Sequence, residues 1–146
     1  MLNTGRVRDQ WHTMTRTGRV PRLMMHQEEP FLTMHPDDAS AYGLTEGEFA
    51  TIESRHGATV MRVRLSGEQR RGEVFVPMHW TDCFASAGPI NRLVSAAKDP
   101  ISGQPELKAT AAKVSPSPSP WWGLLLTTRP ELAAKTKLHC TGHVCP

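Results

Sequence analysis

The chain has 146 residues, with 17 Lys and Arg against 14 Asp and Glu, and a net charge of +3. That length holds one ordinary domain with a tail, and 38% hydrophobic against 21% charged residues mark a globular chain. So small a charge does not point to nucleic acid, no run of about eighteen apolar residues could span a membrane, and MLNTGRVRDQ lacks a secretory apolar core. Three cysteines, two of them in the last seven residues, make no disulfide framework, so a soluble, cytosolic, single-domain protein is expected.

The chain opens on Asn3-Thr4-Gly5-Arg6, which reads as a turn of the kind that follows a strand. Only Met1 and Leu2 precede it, the pattern of a domain cut from a longer chain. From Thr4 to Arg16 runs the densest polar stretch, in which hydroxyls and arginines alternate with Trp11 and His12. Gly5 permits close approach of a backbone N–H, hydroxyls donate to phosphate oxygens, and arginines form bidentate, charge-assisted bonds. Those residue types suit a phosphorylated ligand. A solvated basic loop beside a buried tryptophan fits them equally well.

His35 to Leu44 reads as one short helix, with Pro36 in its first turn, Asp37 and Asp38 at its positive end, and Gly43 as its stop. Thr45–Glu48 is a turn into a strand at Phe49–Ser54, where apolar and polar residues alternate. After a turn at Arg55–Gly57, Ala58–Leu65 alternates again, and Gly72–Pro77 is a short apolar strand. His79, Trp80, Asp82 and Cys83 follow that strand, a place where site residues commonly lie. Lys113-Val114 closes the last strand. Several short strands with one short helix argue a compact β-barrel.

Alternating Ser-Pro from Ser115 favours extended polyproline geometry and cannot build a helix or a central strand. We therefore take 1–114 as the folded domain and 115–146 as a Pro/Ser-rich linker and poorly structured tail. Trp121–Leu126 in that tail is either a segment that packs on another domain or an unprotected apolar patch. Cys140, His143 and Cys145 fit no zinc or iron–sulfur spacing, and no catalytic triad is legible. Neither a catalytic residue nor a metal ligand is assigned.

NTGRVRDQWHTMTRTGRVPRL, from Asn3, resembles the molybdopterin-dinucleotide-binding domain that ends bacterial nitrate reductases, molybdenum oxidoreductases carrying bis-molybdopterin guanine dinucleotide. HPDDASAYGLTEGEFATIESRHGATVMRVRL, GEVFVPMHW and NRLVSAAKDPISGQPELKATAAKV extend the resemblance in order over residues 2–114. WHTMT and VPMHW look most like the assimilatory, cytoplasmic branch. The resemblance implies a double-psi β-barrel, the aspartate-decarboxylase-like architecture, with one or two short helices and loops that grip the cofactor's nucleotide ends.

By the same resemblance, Thr4, Gly5 and Arg6 line phosphates, and Gln10 falls within the contacting stretch. Trp11, His12 and Thr13 lie against the pterin or pyrophosphate. Asn91 and Lys108, seventeen residues apart, match a family asparagine and lysine that would serve a guanine edge and ribose. Molybdenum would do the oxygen-atom chemistry. The molybdenum ligand and the iron–sulfur cysteines belong to earlier domains of the family, so this chain alone is not expected to reduce nitrate. Its expected partners are the remaining domains of the molybdoenzyme and the pterin dinucleotide, with no nucleic acid and no membrane.

The other class of reading is a free-standing double-psi barrel that binds a nucleotide or a protein without catalysis. A self-cleaving decarboxylase barrel is excluded, because no Gly-Ser pair occurs.

Overall fold

The computed structural model describes residues 1–81, 83–85 and 89–118. Asp82, the Trp121–Leu126 run and the Cys140–Cys145 group lie outside the described residues. Among the described residues, six strands form one mixed sheet: β1 (Leu2–Gly5), β2 (Phe31–Met34), β3 (Phe49–Ser54), β4 (Gly57–Leu65), β5 (Val74–Pro77) and β6 (Lys113–Pro116). Their spatial order is β1-β5-β2-β4-β3-β6. The helices are short: α1 (Pro21–Met24), α2 (Pro36–Ala41) and 3-10 turns at His12–Met14, Thr17–Arg19 and Ile90–Arg92. None of the described helices is long and apolar enough to cross a membrane.

The alternation read in the sequence becomes the inward face of the sheet. Ala50 and Ile52 of β3 and Met61 and Val63 of β4 are buried across an antiparallel ladder that pairs Phe49 with Arg62 and Ser54 with Gly57. Leu2, Leu32, Val74 and Val76 complete the core, with Ala39 of α2 and Leu44 behind it. On the opposite face, Arg62 lies 4.3 Å from the Phe49 ring centre and Arg64 3.7 Å from that of Phe31. The apolar stems and planar heads of these arginines cover the rings from water.

At α2, the His35 Nδ1 accepts from the Asp37 N–H at 3.1 Å and caps the first turn. Asp37 and Asp38 lie at its positive end as the sequence predicts.

The opening turn does not exist. Asn3-Thr4-Gly5 belongs to β1, which pairs in parallel with β5, Leu2 with Val74 through Gly5 with Pro77. Leu2 and Thr4 point inward and are fully buried, so the strand is held by tertiary pairing that no local pattern announces. β2 is a second strand absent from the sequence reading. It pairs in parallel with β4 and antiparallel with β5.

The sheet also curls. Leu2 and Thr110 exchange backbone hydrogen bonds of 2.8 and 3.2 Å, so the segment leading into β6 reaches back to β1. β6 is an edge strand, where proline is tolerated, and it continues to Pro116.

These directions decide where a site can form. β1, β5 and β3 run one way, and β2, β4 and β6 the other. The outgoing ends of β1 and β5 therefore share one end of the sheet with the β3–β4 turn.

Candidate functional site at the outgoing end of β1

Arg6 is the first residue past β1. With Met78 past β5, and with Lys98, Asp99, Glu106 and Lys108 from the closing segment, it lines a cleft of about 670 Å³. Cations and carboxylates both face this space, the cations in excess. The closing segment is fixed to β1 by two bonds. The Thr4 hydroxyl donates to the Leu107 carbonyl at 2.7 Å, and Lys108 Nζ donates to the Thr4 carbonyl at 2.9 Å. Thr4 is thus a strut of the cleft, with its hydroxyl already committed.

Gly5 has a packing reason as well. A Cβ there would lie 2.8 Å from Cε2 of Phe75, closer than such contacts allow.

The cleft's far wall is stiff. The Asp99 carboxylate accepts from the Ser102 N–H at 2.7 Å, the Ser102 hydroxyl at 2.9 Å and the Ile101 N–H at 3.1 Å. The Ser102 backbone bond leads in holding Asp99 below the usual carboxylate range, followed by the Ser102 hydroxyl and the Ile101 N–H.

Beyond Arg6 the polar stretch folds into an unusual turn. His12, Thr13 and Met14 have φ of 47°, 54° and 61°, three successive left-handed residues with no glycine among them. Each costs on the order of 1–2 kcal/mol relative to the right-handed conformation. The compensating contacts are visible. Met14 is buried with Met24, Trp80 and Ala85 in a second small core, its N–H donates to the Trp11 carbonyl at 2.8 Å, and the Thr13 hydroxyl donates to the His12 carbonyl at 2.6 Å. The Thr13 N–H donates to His79 Nδ1 at 3.3 Å. His79 is itself left-handed, with φ 86°.

Trp11 is 41% exposed, and the Arg6 guanidinium stands 5.1 Å from its ring centre. Its indole N–H donates to the Arg8 carbonyl at 2.6 Å. Trp11 and His12 line a smaller hollow of about 400 Å³ with Thr15, Arg16 and Thr17. Gln10 is fully buried, with Nε2 donating to the Leu23 carbonyl at 3.3 Å. Arg6, Trp11, His12, Thr13 and Lys108 therefore share one end of the molecule.

Asn91 is exposed on the Ile90–Arg92 turn and is not among the residues lining the Arg6 cleft. That turn sits over the β3–β4 connection, where a Cβ on Gly57 would lie 2.8 Å from the Arg92 carbonyl oxygen. It occupies the same end of the sheet on a different element.

His79 is the residue the sequence placed near a site without giving it a part. Its only sequence signal is its position just past a buried strand.

Of the five buried polar atoms without a partner among the described residues, Gln10 Oε1, Thr17 Oγ1, His79 Nε2 and Trp80 Nε1 lie in these two segments, and Thr59 Oγ1 lies apart on β4. A buried polar atom is costly unless something meets it. None of these residues lines the Arg6–Lys108 cleft, but His79 feels the charge of Arg6 at its edge.

The comparisons agree with this chemistry. The family model described as "Molydopterin dinucleotide binding domain" matches residues 1–111. A nitrate reductase of Klebsiella oxytoca is 50% identical over 130 residues, covering 89% of this chain and 15% of that protein. A nitrate reductase of Shewanella frigidimarina (strain NCIMB 400) is 33% identical over 135 residues, covering 80% of this chain and 14% of that protein. The chain thus spans about one seventh of these relatives. Among solved structures, acetylene hydratase from Pelobacter acetylenicus shares the fold, with a TM-score of 0.67 at 21% identity over 80% of this chain and 18% of that one. The chain belongs to the molybdopterin dinucleotide binding domain family, the part of a larger molybdoenzyme that binds its pterin dinucleotide.

Proposed function

We propose that this domain holds the nucleotide end of a bis-molybdopterin guanine dinucleotide in a cytoplasmic, nitrate-reductase-like oxidoreductase of the assimilatory type. The observation that carries the reading is the cleft where Arg6 and Lys108, from opposite ends of the folded chain, face the same space. Arg6 supplies charge to the diphosphate, Gly5 keeps the backbone close, and Lys108 serves the ribose or guanine from the same cleft. Trp11, His12 and Thr13 bear on the pyrophosphate or pterin, with Gln10 behind them. Asn91 offers its amide to the guanine edge. When bound, the molybdenum supplies the oxygen-atom chemistry. This chain's residues bind and orient the group.

The barrel in this reading is double-psi and extends from the expected 1–114 to the end of β6 at Pro116, with the rest of the chain as linker and tail. The curled sheet and the Leu2–Thr110 bridge support that topology. An iron–sulfur cluster and the molybdenum ligand would lie in the rest of the enzyme. A free-standing binding barrel is the less favoured alternative, since the matched relatives are far longer.

The test is an amide-resolved NMR titration of the chain with guanosine diphosphate. Shifts at Arg6, Thr13 and Lys108 are expected, while single-stranded oligonucleotide should leave them in place. Shifts confined to other surfaces would refute the assignment.

A further inference from the structure

The left-handed turn must be held by something, because three such residues in series do not stay folded on local preference. The loop after β5 grips it from two sides. Trp80 is buried in the same small core as Met14, and His79 takes the Thr13 N–H. A backbone N–H can meet only an unprotonated ring nitrogen, so in neutral His79 the proton sits on Nε2. We propose that His79 is a positioning residue that latches the His12–Met14 turn through Nδ1 and thereby sets the affinity of the rim for a phosphorylated nucleotide. The affinity part rests on the proposed function; the latch itself does not.

The charges around the ring favour the latched form. Burial first, then Arg6 and His12, push His79 below its ordinary titration range and keep Nδ1 free to accept.

Three variants separate the latch from packing and from backbone strain at φ 86°. In His79→Asn, the side-chain oxygen stands near where Nδ1 stood, and asparagine tolerates the positive φ. His79→Leu fills similar volume without an acceptor. His79→Gly lacks the acceptor but is unstrained at this φ, so it should exchange as fast as His79→Leu if the latch holds and like the parent if strain alone matters. The test is hydrogen exchange of the Thr13 amide in the 146-residue chain at pH 7.5, alongside titration with guanosine diphosphate. His79→Leu should speed Thr13 exchange by roughly fivefold and weaken nucleotide binding by a similar factor, and His79→Asn should restore both. Unchanged exchange in His79→Leu, or an asparagine variant that behaves like leucine, would overturn the latch.

Faster exchange with unaltered nucleotide binding would overturn the link to affinity. No nucleotide binding even in the parent chain would overturn the proposed function and leave the exchange data to judge the latch. Should His79→Leu fail to fold, the imidazole 15N spectrum of the parent chain decides: a proton on Nε2 supports the latch, and one on Nδ1 refutes it.

Discussion

Lys108 donates to the carbonyl of Thr4 at 2.9 Å, and the Thr4 hydroxyl donates to Leu107 at 2.7 Å. These reciprocal bonds join the first strand to the closing segment across nearly the whole domain. Thr4→Val keeps the shape and removes the buried hydroxyl, leaving the Leu107 carbonyl without that donor. A loss of about 1–2 kcal/mol is expected in chemical denaturation. Stability equal to the parent would show that the strut contributes nothing.

Gly5 and Phe75 form the second constraint at this end. Gly5→Ala drives a methyl to within 2.8 Å of the ring edge and should cost about 1–3 kcal/mol. Combining it with Phe75→Leu should recover part of the loss. A double-mutant cycle with no coupling would mean the ring is not what demands glycine.

Protonation should act through His79. Its folded titration range lies below the ordinary value of 6.5. The stability it contributes is therefore fully present above about pH 6.5 and is lost as pH falls through the folded value. Urea midpoints at pH 7.5 and at lower pH measure the loss, and His79→Asn should flatten it. An equal slope in that variant would assign the effect to other groups.

Arg6 stacks on Trp11 and faces the cleft. If the proposed function holds, Arg6→Ala in the full-length protein should reduce bound molybdenum and guanine together, by roughly tenfold at limiting cofactor, because a cation able to bind phosphate in a bidentate manner is lost. Arg6→Lys should recover only part, since lysine lacks the planar stacking face. Metal and guanine analysis of the purified enzyme reads both. Undiminished content would remove Arg6 from the site.

The elements legible in the sequence are those whose signal is local. β3 and β4 alternate along their own length, and α2 carries its proline, aspartates and terminal glycine in order. β1 and β2, with four residues each, owe their conformation to β4 and β5, so no window around them shows it. The candidate site divides in the same way. Arg6, Trp11 and His12 were visible as residue types suited to phosphate. The left-handed turn was not, because glycine usually marks that conformation and none is present. Nor could the sequence pair Thr13 with His79, which meet only when β1 lies beside β5.

The bridge between Leu2 and Thr110 also fixes an order of events during synthesis. The first strand emerges from the ribosome well before its partners, and at 5–20 residues per second it waits about 5–20 s for Thr110 to appear. Until then the buried Leu2 can pair with β5 once that strand has emerged, but not with the closing segment. Premature termination anywhere short of that threonine leaves this edge open to pairing with another chain.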